Sequence, residues 1–360
     1  MMVAVAIVAL LGLTPRGSIF ATWAAAPLRT IQRELYRSDR GVYAEAGKDP
    51  APLLDLRGEA ELVLAFAAAA AYDAKFLPDL QTAIAASANF WDASGPTPGF
   101  SETPFAKAGN RSYADNAALA LALGEAARVA KSVKASELAV QALTFALSGE
   151  DAKRGGIADR EADGSVKTAG ATAAVALAVL RQADLSTHKH SGELYDWVRA
   201  NLRDPGTNLF STALGAAGTD RGAPEAGDTA RMIEIACLLN QSTGDLKYGE
   251  QARRLEILSV ARWSQPNGGL STDTLGGAQL VEAWLDRIRM CPRRGETYGA
   301  SLAAYSALQR LHDAGRNREG HYGRAFGIAP AAAEGWRVLD QAAAARAFFT
   351  TALALRPGKK

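Results

Sequence analysis

An Asp and an Asn stand side by side on the opening turn of a helix, straight after a long irregular loop. The segment reads Arg111-Ser112-Tyr113-Ala114-Asp115-Asn116 and continues through Ala117 to Leu123. A carboxyl held by a helix at the edge of a loop can serve as a general acid or base. The same residues suit a helix N-terminus for local reasons, since their oxygens cap free N–H groups and favour the positive end of the dipole. Both readings of Asp115 stand on these residues alone. His321 and Tyr322 lie in a Gly-rich loop between late helices, a place from which side chains can line a cavity. His188-Lys189-His190 has no evident third ligand and reads as a solvated loop. Asp159 to Gly164 begins like a calcium loop, but its twelfth position is Gly170 where a bidentate Glu is needed, so it reads as a turn. Phosphate loops, dinucleotide motifs and Ser-His-Asp spacings are absent, and neither a cofactor nor a metal is expected.

The elements that must position these groups are almost all helical. The first helix is expected over Leu28–Ser38, followed by a pair over Leu54–Ala71 and Lys75–Trp91. A loop rich in Gly, Pro, Ser and Thr, Ala93–Arg111, leads into Tyr113–Ala130, where Leu119, Leu123, Ala126 and Ala130 share one face. Helices follow over Ala135–Leu147, Thr168–Ala183 and Glu193–Leu202. The next is marked by Met232, Ile235, Ala236 and Leu239 and stops at the Thr243-Gly244-Asp245 turn. Leu246–Trp263, Ala278–Arg289, Gly299–Ala314 and Trp336–Leu355 complete the set. About twelve helices in pairs, with scarcely a strand and no linker, predict an all-α fold, an (α/α)6 toroid of helical hairpins; a superhelical array is the alternative. The domain is expected over residues 27–356.

A hydrophobic share of 48% with 22% charged residues excludes disorder over most of the length. The net charge of +2 is scattered, without the basic stripe that nucleic acid requires. Cys237 and Cys291 read as free thiols. Val3–Leu13 is an apolar run of signal-peptide length, too short to span a bilayer, with small residues at Ala21–Ala26. Residues 1–26 are therefore expected to be a signal peptide or N-terminal extension, with the protein secreted or periplasmic and no other membrane attachment.

The string SYADNAALALALGEAARV resembles the signature of glycoside hydrolase family 76, the bacterial and fungal α-1,6-mannanases. In that family an Asp-Asp-Asn opens an Ala- and Leu-rich helix. Further likenesses follow in order. Gly155-Gly156-Ile157 resembles the family's Gly-Gly-Ile loop, and Lys167-Thr168-Ala169 its Lys-Asn-Ala helix start. LYDWVRANLRDPGTNLF resembles its Tyr-x-Trp helix and turn. EAGDTARMIEIACLLNQSTGD resembles its Asn-Gln-Gly helix, and VLDQAAAARAFFTTALA its closing helix. The resemblance covers roughly residues 85 to 355 and implies a carbohydrate cleft with Asp115 as a catalytic acid/base, binding an oligosaccharide or polysaccharide.

The departures carry as much information. The family's adjacent aspartates act as nucleophile and acid/base; here the first is Ala114, so only Asp115 is carried over. Glycoside hydrolysis needs two carboxyls flanking one bond. Asp92 and Glu102, in or beside the preceding loop, and Glu225 and Asp228, where the family has Asn-Gln-Gly, are the candidates for the second. The aromatics expected after Gly-Gly-Ile are replaced by Ala158-Asp159. Tyr113, Asn116, His321 and Tyr322 are the expected substrate contacts, with Trp91 as the stacking face for a sugar. Two function classes follow: a glycoside hydrolase-like protein acting on α-mannan or a related glycan, and a non-catalytic glycan- or protein-binding member of the same fold. A toroid of the sugar-epimerase kind would rely on histidines, which are few here.

Overall fold

The computed structural model describes residues 17–47, 51–107, 109–182, 188–215, 222–292, 299–331 and 335–356. Among these lie twelve α-helices: α1 (Ser18–Glu34), α2 (Leu56–Tyr72), α3 (Leu77–Ser87), α4 (Tyr113–Ala130), α5 (Val133–Leu147) and α6 (Ala169–Gln182) form the first half. The second half comprises α7 (His188–Asn201), α8 (Ala226–Thr243), α9 (Leu246–Trp263), α10 (Thr274–Met290), α11 (Gly299–Ala314) and α12 (Val338–Ala354). The even-numbered helices pack in sequence, α2 on α4, α4 on α6, and so on to α12, which returns to α2 and closes the ring. The odd-numbered helices form the outer layer, each resting between two inner ones: α1 against α12 and α2, α5 against α4 and α6. This is the (α/α)6 toroid, and closure on α2 excludes the open array.

Composition explains which helices go inside. Every residue of α6 from Ala171 to Leu180 is buried, as are Ala342 to Ala345, Phe348 and Phe349 of α12. Helices that are apolar all round must be surrounded by protein, and their alanines let six backbones approach around one axis. The stripe Val338, Ala342, Ala345, Phe349 and Ala352 is entirely buried. Phe349 meets the rings of Tyr72 and Phe76 at 6.0 and 5.6 Å.

Since each outer helix returns antiparallel, the inner helices all start at the same end of the ring. Their starts are fixed by caps: Asp55 accepts from the Gly58 N–H at 2.7 Å, Ser112 from Asp115 at 3.1 Å and Asp273 from Gly276 at 2.7 Å. Short antiparallel strands decorate that end. β1 (Tyr36–Arg37) pairs with β2 (Val42–Tyr43), β3 (Trp91–Asp92) with β4 (Gly99–Phe100), and β6 (Asp163–Thr168) with both β5 (Ala158–Arg160) and β7 (Ala213–Leu214). Arg160 pairs with Asp163 across the turn, so the calcium-loop lookalike is the tip of a hairpin.

The first helix differs from its expected span. The helix expected from Leu28 begins at Ser18 and runs through Pro27. Phe20, Ala21 and Ala24 are buried on the ring, so the packing includes residues 18–26. The apolar run Val3–Leu13 lies outside the described residues. None of the described helices is long and apolar enough to cross a membrane.

Candidate active site

A cavity of about 250 Å³ opens at the N-terminal ends of the inner helices. First-turn residues Arg57 of α2, Asp115 of α4, Gly170 of α6, Asp228 of α8 and Leu275 of α10 line it, with Glu225 immediately before α8. Asp159 of β5, Thr168 of β6 and Thr212 beside β7 close one side. One turn or two deeper come Glu61, Gln279, Glu234, Glu282 and Arg346. No histidine lines it among the described residues.

Helical geometry decides which residues of the opening segment of α4 reach this space. Ala114, Asp115, Ala118 and Leu121 face the axis at spacings of three and four and line the cavity. Ser112 supplies the cap, so the Asp115 carboxyl is not required for it. Burial raises Asp115 above the usual carboxylate range, while the nearby Arg57 charge and a hydrogen bond with Ser112 pull it back.

Asp228 is 4% exposed, and burial pushes it up to about 6; Glu225 adds to the rise, while Arg231 and Arg57 oppose it. Its Oδ1 accepts from Arg231 Nη1 at 3.2 Å. A Cβ on Gly170 would lie 3.0 Å from that same oxygen, so glycine there keeps room for the carboxyl between α6 and α8. Arg57 acts on both Asp115 and Asp228, which places one exposed guanidinium within electrostatic reach of two carboxyls. Among the described residues it has no ion pair of its own within 4.0 Å.

The floor is a buried charge network. Arg346 donates to Glu61 at 2.7 Å and to Glu282 at 3.0 Å. Its Nη2, and Oε1 of Gln279, find no partner among the described residues. The cavity thus offers carboxyls, unmatched donors on Arg346 and an unmatched acceptor on Gln279, with the unpaired Arg57 at its mouth, the complement of a polyhydroxylated ligand.

Three of the expected acids meet here: Asp115, Glu225 and Asp228. The other expected residues do not line the cavity. Asp92 accepts from the Ser94 N–H at 2.9 Å and its hydroxyl at 2.7 Å, closing a turn in the β3–β4 loop. Glu102 is paired with Arg160. Tyr113 and Asn116 point away from the axis. Tyr113 stacks on Phe145 with centroids 4.9 Å apart. Asn116 is fully buried, accepting from the Phe100 N–H at 2.9 Å and donating to the Phe100 carbonyl at 2.9 Å, which clamps β4 to α4. Trp91 packs edge-on against Phe100 at 5.2 Å. His321 stacks on Trp336 at 4.5 Å, and Tyr322 is core, its N–H bonded to Gln341 at 2.9 Å. These aromatic residues pack into the ring wall and serve the frame.

Sequence reasoning passed over Arg57, Glu61, Glu234, Glu282 and Arg346. A signal existed: a single charge in the middle of an Ala- and Leu-rich helix must face an internal cavity or a buried partner. Asp159, which in sequence marks a lost aromatic and the start of a turn, lines the cavity.

No protein-family model matches the sequence, and no curated protein matches it. Solved structures do share the fold. A family 76 α-mannanase of Bacteroides thetaiotaomicron superposes with a TM-score of 0.82 at 22% identity, covering 92% of this chain and 95% of that one. A family 76 mannosidase of the same species gives 0.83 at 14% identity over 93% and 98%. A sugar epimerase from a ruminal bacterium gives 0.76 at 13% identity over 95% and 99%. The chain has the architecture of the family 76 α-mannanases, as the motif succession implied, and the same ring serves an epimerase.

Proposed function

We propose that this chain is a glycoside hydrolase-like protein acting on α-mannan or a related glycan, with Asp228 as general acid and Asp115 as the opposing carboxylate. The observation that carries the reading is a pair of acids on one cavity, Asp228 titrating near 6 and Asp115 held beside Arg57. Neutral near its working pH, Asp228 gives its proton to the glycosidic oxygen as the bond to the anomeric carbon breaks. Asp115 works from the other side. Retention of configuration identifies it as nucleophile, and inversion as the base that takes a proton from water. Thr168, Thr212, Gln279 and Arg346 bind sugar hydroxyls. A secreted or periplasmic location belongs to the same proposal, because polymeric glycans lie outside the cell.

The absence of lining histidines speaks against epimerase chemistry and for hydrolysis. The choice of α-1,6-linked mannose as test substrate follows from a structural neighbour, an α-1,6-mannanase of Salegentibacter, solved with α-1,6-mannotriose after two adjacent aspartates were replaced. That complex also supports a second reading, glycan binding without turnover, which Ala114 in the cavity wall favours.

The test is release of reducing ends from α-1,6-mannan and its oligomers. Asp228→Asn and Asp115→Asn should each lower kcat about 10²–10⁴-fold, the range of a lost acid or base, with folding unchanged. Activity should fall as pH rises through 6, as the general acid loses its proton. Activity that survives both substitutions removes the assignment. An inactive native protein that binds mannotriose, and gains turnover on Ala114→Asp, establishes the second reading.

A further inference from the structure

Cys237 and Cys291 are 54 positions apart in sequence and adjacent in space. Cys237 sits in the fourth turn of α8, wholly buried; Cys291 ends α10 and is partly exposed. Two contacts bring them together. The Cys237 thiol is in hydrogen-bonding contact with Cys291. Asn240, on the next turn of α8 and the same side as Cys237, donates from Nδ2 to Cys291 Sγ at 3.6 Å. The end of α10 is thus laid across α8 with its sulfur aimed at a buried thiol, and both cysteines are in the thiol form.

We propose that Cys237 and Cys291 are a redox site that closes to a reversible disulfide, tying the end of α10 to α8. The oxidant is a small disulfide of the glutathione class. It reaches the partly exposed Cys291 first: the Cys291 thiolate attacks one sulfur, a mixed disulfide forms, and one small thiol leaves. Cys237 then gives up its proton, attacks Cys291 Sγ and expels the second small thiol. Two thiols and one disulfide enter; one protein disulfide and two small thiols leave. The second step is slow, because the bond to Cys291 and burial push the Cys237 thiol up. The product closes the loop formed by the C-terminal part of α8, α9 and α10, which removes freedom from the unfolded chain. Gln279 and Glu282, which line the candidate active site, belong to the helix that is tied down.

The experiment uses the full chain incubated with glutathione disulfide, then denatured without reductant for thiol titration and intact mass. Expected are loss of both titratable thiols, a monomer lighter by two hydrogens, a single cross-linked peptide joining both cysteines, and a Tm raised by several degrees until dithiothreitol is added. Cys237→Ala should instead stop at a glutathione adduct on Cys291, and Cys291→Ser should leave the buried thiol unmodified. Two thiols still free after prolonged incubation at alkaline pH overturn the proposal. So does a persistent glutathione adduct on the unmodified sequence, or a cross-link between two chains.

Discussion

The two ends of the ring are built from the same six helices, yet their interiors are chemically opposite. At the N-terminal end a cavity of about 250 Å³ carries Asp115, Glu225 and Asp228, with Arg57 and Arg231 as the cations nearest to them. Beyond it a cavity of about 920 Å³ is walled by Ala127, Leu285 and Leu353 of the inner helices and by Leu143 and Leu147 of the outer helix α5. Its charges come already paired: Arg181 with Glu234, Arg289 with Asp286, Arg128 with Glu125. Leu64, Leu121, Leu177, Glu234, Glu282 and Arg346 line both and form the partition. Burial raises carboxyls at both ends, Asp115 and Asp228 at the first and Asp286 at the second; what sets the first end apart is Arg57, a guanidinium beside two of those acids with no ion pair among the described residues.

The partition is where that contrast breaks most readily. Arg346 answers two acids at once, Glu61 and Glu282. Arg346→Ala strands both in a buried site, and removing one partner of a buried ionic group costs about 3–5 kcal/mol. Denaturant unfolding should register that loss at neutral pH, with partial recovery in acid as the stranded carboxyls protonate. A loss below about 1 kcal/mol would mean that the two cavities join through water, and the contrast between the ends would dissolve.

Pure packing gives an effect of similar or slightly smaller size with a different signature. Phe349→Ala removes a fully buried ring from between Tyr72 and Phe76 and should cost about 3–5 kcal/mol. It should do so equally at acid and neutral pH and leave the KM of any glycan turnover unchanged, since Phe349 lines neither cavity. A pH-dependent loss would show that the aromatic packing and the charged partition are coupled.

The fold was largely legible because the 3.6-residue period and the caps are local signals. Gly244 ends α8 with φ 71°, a conformation in which glycine is unstrained. The start of α1 is less legible, because the small residues of Ala21–Ala26 read equally as the end of a signal peptide. At the site, Asp115 is legible as an acid on an opening turn, and Glu225 and Asp228 only through the resemblance, as the acids standing where the family has Asn-Gln-Gly. Their partners are not, because Arg57, Glu61 and Arg346 meet only when helices 50 to 290 positions apart close into a ring. Tyr113 and Asn116 sit beside Asp115 in sequence but point the opposite way, and only the direction of the axis separates clamp from cavity.

The smallest effect, taken per unit of pH, concerns a carboxyl that faces neither cavity. Glu59 of α2 is 1% exposed, and burial raises it to about 8. Its Oε1 lies 3.0 Å from Ser87 Oγ, its Oε2 has no partner among the described residues, and the same Ser87 hydroxyl lies 3.0 Å from the Ala83 carbonyl. One hydroxyl proton cannot serve both acceptors. If Ser87 donates to Ala83, a neutral Glu59 can donate to Ser87, and every proton is used. The stability this arrangement contributes is fully present below the unfolded value of 4.5 and is lost as pH rises through 8. Between those limits it declines by about 1.4 kcal/mol per pH unit. Glu59→Gln keeps the shape and a donor, so it should flatten that decline while leaving glycan binding and turnover intact. Unfolding free energies measured from pH 5 to 9 decide the point. An unchanged slope would mean that Glu59 is ionised in the folded ring. A raised carboxyl with no cavity beside it would then cease to be the structural counterexample it is here.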